Sequence, residues 1–275
     1  MNSQVELPSL PRRSERISAF FPCYNDAHTI ADIVRAADAT LADLTDDYEV
    51  IVVNDGSFDG SAEVLAGLVE TVPALKVVTH PANRGYGGAL QSGFAAATGD
   101  LIFYTDGDGQ YDPRELKLLI AELADGVDVV NGYKISRSDS PVRRILGSAY
   151  NFVATTLLQI PMRDLDCDFR LFRREVAQEL RITSSGGIIC AQMMQQVYRG
   201  RYTVREVPVT HLPRRHGSSQ FFQPWNVFSL GIDLLRLWWG GLFGGTGGAV
   251  AETGAAGEAR DAESDPVAEA DHAID

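Results

Sequence analysis

The chain has 275 residues, 45% of them hydrophobic, which is enough to bury one substantial core and favours one domain with appendages. Its 37 Asp and Glu against 24 Lys and Arg give a formal charge of -13, so an extended basic groove is excluded, no nucleic-acid partner is expected, and a phosphorylated ligand has to be met by local Arg clusters or a bound cation. Cys23, Cys167 and Cys190 are odd in number, far apart and free of any CxxC spacing, which excludes a disulfide framework or zinc knuckle and fits a reducing cytoplasm.

Residues 1–16 are polar, carry Pro and charges, lack the apolar core of a signal peptide and read as a flexible N-terminal arm. Short apolar runs then alternate with amphipathic stretches, the pattern of a mostly parallel sheet covered by helices. Ile17 to Phe21 is the first strand. A helix opens near Asp26, with Ile30, Ile33, Val34 and Ala37 on one face. Tyr48 to Val53 is a β-branched strand that stops at Asn54-Asp55-Gly56-Ser57. A helix over Ala62 to Val69 follows, then a strand at Leu75 to Thr79 and a helix over Gly85 to Ala97. The strand Leu101 to Tyr104 runs into Asp106-Gly107-Asp108-Gly109-Gln110, and Pro113 starts the next helix in its favoured first turn. Val127 to Asn131 is the fifth strand. In such open sheets ligands bind beyond the carboxyl ends of the strands, so the loops at Pro22 to Asp26, Asn54 to Ser57 and Asp106 to Gln110 share one edge.

Beyond Gly132 a polar, Arg-bearing segment from Lys134 to Arg144 leads into a helix over Ile145 to Leu158. A strand at Phe169 to Phe172, a helix over Ile188 to Tyr198 and a strand at Val204 to Val209 come next. Residues 221–243 are the most apolar part of the chain, but Asp233, Arg236 and Pro224 interrupt them below the roughly 20 residues a bilayer span needs. They read either as an interfacial, membrane-proximal amphipathic helix or as a helix packed on protein. Residues 244–275 hold eight acidic residues and one Arg among Ala and Gly and read as a disordered tail.

On its residues alone, Asp106-Gly107-Asp108 is either a divalent-cation site, with two oxygen ligands past a strand end, or an ordinary Asp-Gly turn. Tyr24 packs along a base or into the core; Asp55 accepts from a base N–H or caps a helix. Each plain reading is adequate singly. Three such loops on one sheet edge favour a nucleotide site.

These motifs carry a resemblance. Pro22-x-Tyr24-Asn25, Asn54-Asp55-Gly56-Ser57-x-Asp59-Gly60, Asn83-Arg-Gly-Tyr-Gly-Gly-Ala89 and Asp106-x-Asp108-x-Gln110-x-x-Pro113 together resemble family-2 glycosyltransferases of the GT-A fold. Asp164-x-x-x-x-Phe169-Arg-Leu-Phe-Arg173, then Glu206-Val-Pro208 and Arg214-x-x-Gly217-x-Ser219, are similar to the dolichyl-phosphate mannose synthase branch, with the resemblance confined to a domain over residues 17–220. The resemblance implies a GT-A, Rossmann-like mostly parallel sheet flanked by helices, and an inverting transfer of a sugar from a nucleotide-sugar donor, GDP-mannose or a UDP-hexose, to a polyprenyl phosphate. It implies that Pro22, Tyr24, Asp26, Val53 and Asp55 surround the nucleoside, and that Asp106, Asp108 and Gln110, with Gly107 between them, hold Mg2+ or Mn2+ and the diphosphate. Arg214 then reaches the donor phosphate. Lys134, Arg144 and Ser148 occupy the acceptor-phosphate places.

Departures accompany the match. Asp26 stands where Glu is usual, Asn54 replaces an Asp, and Gln220, counted with the donor site, replaces a common Lys. The run Asp164-Leu-Asp166-Cys-Asp168 is more acidic than the family form. A polyprenyl acceptor implies peripheral association with the cytoplasmic face of a membrane, or an integral membrane partner. Two rival readings remain: a saccharide-extending glycosyltransferase with Asp164, Asp166 or Asp168 as base, and a non-catalytic nucleotide-sugar-binding protein.

Overall fold

Apolar residues fill both faces of the first strand, β1 (Ile17–Cys23), and strict alternation assigns them to two different cores. Ile17, Ala19, Phe21 and Cys23 enter one core and Phe20 the other. The same division recurs in β2 (Tyr48–Asn54), where Val50 and Val52 face one way and Ile51 and Val53 the other, and in β4 (Leu101–Thr105), where Leu101 and Phe103 oppose Ile102 and Tyr104. A sheet buried on both sides follows. The computed structural model describes residues 6–137, 141–184, 188–213 and 231–239, with backbone alone for 136–137 and 141–146.

The remaining strands are β3 (Leu75–Thr79), β5 (Val129–Arg137), β6 (Phe169–Arg173) and β7 (Val204–His211), and the seven lie in the order β3-β2-β1-β4-β6-β5-β7. β1 pairs in parallel with β2 and β4, and β2 with β3. β6 runs antiparallel to both β4 and β5, and β5 is parallel to β7. The sheet is therefore mostly parallel with one reversed strand, as the α/β pattern predicts. Helices α1 (Ile30–Leu44) and α2 (Ser61–Thr71), and α4 (Leu116–Glu122) after a 3-10 turn at Pro113–Glu115, cover the face built on Phe21, Val52 and Phe103. Helices α3 (Gly85–Ala96), α5 (Pro141–Leu158) and α7 (Ile189–Arg199) cover the other.

Two elements differ from expectation. β5 does not stop at Asn131 but continues through the polar stretch to Arg137, because β7 offers parallel partners as far as His211 across a bulge between Lys134 and Ser136. A short helix, α6 (Arg174–Glu179), turns the chain after β6. Residues 231–239 form a further helix, α8, whose Leu234 is buried in the second core with Leu237 and Trp238 packed against it. Among the described residues no helix is long and apolar enough to cross a membrane.

Candidate active site

The carboxyl ends of β1, β2 and β4 are bound to each other through backbone. Asp55 N–H donates to the Cys23 carbonyl at 2.9 Å and Gly107 N–H to the Pro22 carbonyl at 3.1 Å. Gly107 has no alternative residue: a Cβ there would lie 2.5 Å from the Pro22 oxygen. Side chains complete the lattice, with Asn25 Oδ1 accepting from Phe58 N–H, Ser57 Oγ from Asn25 N–H, and Asp59 from Ala27 and Ser61. Asn25 adopts φ 59°, a left-handed conformation that Asn tolerates. The three predicted loops form one rigid edge.

At this edge Tyr24 is 41% exposed and meets Phe58, 81% exposed, edge-on with ring centroids 6.1 Å apart. Tyr24 is thus an open aromatic at the strand end, not a core residue. Phe58 was not expected; an aromatic residue set inside the polar turn Asn54 to Gly60 was the available signal. Asp26 accepts from the Tyr24 N–H at 3.1 Å, folding the loop on itself. Val53, by contrast, is wholly buried in the second core and packs beneath the end of β2.

Past β4, Asp106 and Asp108 flank Gly107, and the Asp108 carboxylate accepts from Gln110 N–H at 2.9 Å. Asp106 Oδ1 is buried with no hydrogen-bond partner among the described residues, and so is the nearby Tyr86 hydroxyl. Burial first, then repulsion from Asp168 and Asp108, raises the Asp106 carboxyl well above the usual carboxylate range; the Tyr86 hydroxyl works weakly against this. An orphaned carboxylate oxygen among like charges is the environment a divalent cation relieves, so the residues fit such an ion. Among the described residues no group of three or more His, Cys, Asp or Glu is placed to cage a metal, so a cation here takes its remaining ligands from elsewhere, such as donor phosphates.

Asp168 faces the same space from the start of β6. It accepts from Cys190 Sγ–H at 2.9 Å and from the Tyr104 hydroxyl at 3.5 Å, and Tyr104 in turn accepts from Arg170 Nη1 at 2.6 Å. Arg170 is fully buried, and its other nitrogens donate to Asn131 Oδ1 and the Leu165 carbonyl. Burial drives the Asp166 carboxyl up to about 7, Lys134 opposing and Asp164 and Asp168 reinforcing the shift. Lys134 Nζ donates to the Asp166 carbonyl at 2.8 Å and lies 3.8 Å from Asp164 Oδ1. Burial disfavours its ammonium, but Asp164, Cys167 and Asp166 outweigh that and raise it.

The remaining predicted residues are less fully placed. Ser148 is exposed on α5; Arg144 lies on the same helix with only its backbone described. Arg214 and Gln220 lie outside the described residues, as do the acidic tail and most of residues 221–243. Leu212 is described and hydrogen-bonds Gln110 in both directions, which brings the end of β7 to the Asp106 loop.

Residues 18–181 match the family model for Glycosyl transferase family 2. An undecaprenyl-phosphate 4-deoxy-4-formamido-L-arabinose transferase of Pseudomonas fluorescens is 31% identical over 223 residues, covering 80% of this chain and 64% of the relative. The transferase of the same name from Klebsiella pneumoniae is 30% identical over 209 residues, covering 75% and 63%. The chain thus spans under two thirds of the length of these curated relatives. Glucosyl-3-phosphoglycerate synthase of Mycobacterium tuberculosis, solved with Mn2+, uridine diphosphate and its product, superposes with a TM-score of 0.65 at 19% identity, covering 82% of this chain and 80% of that one. A mannosyltransferase of Pyrobaculum calidifontis, in complex with GDP-Man and Mn2+, gives 0.59 at 22% identity, covering 83% and 68%. At these identities the structural likeness establishes the GT-A fold alone. The sequence match over most of the described sheet goes further, and by it the chain belongs to glycosyl transferase family 2.

Proposed function

We propose that this protein transfers a sugar, with inversion, from a nucleotide-sugar to a polyprenyl phosphate at a membrane surface. The observation that carries the donor half is the buried Asp106 carboxylate, crowded by Asp108 and Asp168 and with no partner on Oδ1 among the described residues, on the same edge as Tyr24, Asp26 and Asp55. The acceptor half is supported by the relatives, whose names specify undecaprenyl phosphate.

In this reading Tyr24 and Asp55 take the nucleoside, and Asp106, Asp108 and Gln110 hold a divalent cation, Mg2+ or Mn2+. Such an ion neutralises charge developing on the departing diphosphate. Arg214, which follows Pro213 just beyond the Leu212–Gln110 pairing, shares that charge. The acceptor phosphate is already anionic near neutral pH and attacks without a dedicated base. The protein's task is to hold two anions in line. Lys134 Nζ supplies N–H donors for that phosphate, and Arg144 and Ser148 on α5 are the further residues assigned to it.

A second reading rests on Asp166, whose carboxyl near 7 suits a general base for a hydroxyl acceptor. Incubation with nucleotide-sugars, Mn2+ and either a polyprenyl phosphate or an oligosaccharide separates the two. Product on the lipid phosphate is expected; product on the oligosaccharide alone overturns the lipid reading.

The described part of α8 bears on where the acceptor is met. Its inner residues pack on the core while Ile232, Leu235 and Trp239 are 37%, 57% and 60% exposed, and Phe152 and Val153 stand out on α5. These apolar side chains are proposed to touch the membrane surface peripherally.

A further inference from the structure

One buried histidine lies against the nucleoside loop and has no part in the reading above. His80 follows β3 directly, is 5% exposed, and its N–H donates to the Asn54 carbonyl at 2.9 Å, which extends the β2–β3 pairing by one residue. Its ring spans two elements: Nδ1 lies 2.5 Å from Asp55 Oδ1, and Nε2 lies 2.8 Å from Ser92 Oγ on α3.

The polarity of this chain follows from its fixed members. Asp55 Oδ1 also accepts the Arg84 N–H at 2.8 Å, so it is already an acceptor. Arg84 Nη1, which can only donate, lies 3.5 Å from both His80 Nε2 and Ser92 Oγ. Facing a carboxylate at 2.5 Å, Nδ1 carries a ring proton and donates it to Asp55, while Nε2 pairs with the Ser92 hydroxyl. Both donors onto Asp55 use Oδ1, and among the described residues Oδ2 accepts no hydrogen bond. The turn after Asp55 packs closely on the segment after His80. Gly56 sits at φ 70°, and a Cβ there would lie 2.7 Å from backbone atoms of Ala82 and Asn83.

We propose that His80 is the positioning residue of the nucleobase subsite: by fixing Asp55 through Oδ1 it aims Oδ2 as a pure acceptor at the base. This rests on the glycosyltransferase reading and specifies its donor. Uracil, thymine and guanine carry a ring N–H beside a carbonyl and can donate to such a carboxylate. Adenine N1 and cytosine N3 present a lone pair at the corresponding position and are repelled. The Ser92–His80–Asp55 alignment has the order of a hydrolytic triad, but its role here is to orient a carboxylate, with Ser92 as the last support.

The test uses the full chain with Mn2+ and four probes, UDP, GDP, CDP and ADP, titrated by calorimetry. Wild type is expected to prefer UDP or GDP over CDP and ADP by about tenfold or more. Asn at position 80 carries an amide N–H near the place of Nδ1, whereas Gln places its amide near Nε2. His80→Asn is therefore expected to keep affinity and preference within about threefold, while His80→Gln loses about tenfold in affinity and narrows the preference. In steady-state assays the His80→Gln loss falls on the donor KM and leaves kcat in place. Ser92→Ala, at the far end of the chain, is the second variant, with a loss of about threefold expected. Ring 15N shifts of His80 in the native protein are expected to report the Nδ1–H tautomer. Absence of nucleotide binding by the native chain overturns the glycosyltransferase reading and this proposal with it. Unchanged affinity and base preference in both His80→Gln and Ser92→Ala, or an Nε2–H ring, overturn the positioning role alone.

Discussion

Gln110 and Leu212 are bound to one another twice: the Gln110 carbonyl accepts the Leu212 N–H at 2.8 Å, and the Gln110 side-chain amide donates to the Leu212 carbonyl at 3.2 Å. They lie 102 residues apart, so one side chain ties the loop after β4 to the end of β7. Gln110→Glu removes the donor and sets a carboxylate against the Leu212 carbonyl. The variant is expected to lose about 1 kcal/mol of stability and about tenfold in turnover, read by urea unfolding and steady-state assay. Unchanged values in both would show that the tie carries no weight.

Asp106→Asn separates function from stability. The wild-type carboxylate is buried, orphaned on Oδ1 and repelled by Asp168 and Asp108, so in a chelator the amide variant should melt at a higher temperature than wild type. Mn2+ should raise the melting temperature of wild type and leave Asp106→Asn nearly unmoved, while transfer falls by about a hundredfold or more. A variant that melts lower in chelator contradicts the account.

Asp166 sets a pH dependence of unusual sign. Its carboxyl sits near 7 in the folded state against about 3.9 when unfolded, so between those values the folded chain binds the extra proton. Its contribution to stability therefore grows as pH falls from above 7 towards 4. Asp166→Asn should flatten that rise, and denaturant midpoints at pH 5 and pH 8 measure it.

Glu49 acts in the opposite direction. Burial penalises its anion, but Lys76 at 2.5 Å, Ser18 at 2.6 Å and Thr98 at 2.7 Å outweigh burial and hold the carboxyl at about 2. The unfolded value is about 4.3, so this stabilisation is complete above that pH and is lost as pH falls towards 2. Glu49→Gln should cost about 1–3 kcal/mol at neutral pH, with the difference from wild type vanishing in acid. An equal deficit at pH 7 and pH 2.5 would falsify the assignment.

Membrane contact is tested on the outer face of α8. Replacing Ile232, Leu235 and Trp239 together with Ser, while keeping the buried Leu234, should weaken co-sedimentation with liposomes about tenfold and leave nucleotide binding unchanged. Chain truncated after Gln220 should lose liposome binding more than nucleotide binding. Full retention by both removes this surface from the proposal.

Much of the fold was legible because burial imposes period. The short apolar runs of β1, β2 and β4 and the stripe of Ile30, Ile33, Val34 and Ala37 in α1 mark the same elements in sequence and structure. The rule that ligands meet strand ends located Tyr24, Asp55 and Asp106 without coordinates. His80 obeys that rule too, as a polar residue directly after β3, yet its purpose rests on Asp55 and Ser92, 25 and 12 residues away. Phe58 resembled a spacer between Ser57 and Asp59 until its ring was seen against Tyr24.

By itself the sequence determined most of the strands and helices and, through the order of its motifs, the family, because periodicity, turn chemistry and motif order are local properties of a chain. Only the tertiary structure decided that β6 runs antiparallel between β4 and β5, which brings Asp168 to Asp106, and that Lys134 is held by Asp164 and Asp166. It also decided which side chains share a proton or a charge, because burial and the approach of residues distant in sequence set those interactions, and neither is a property of local sequence.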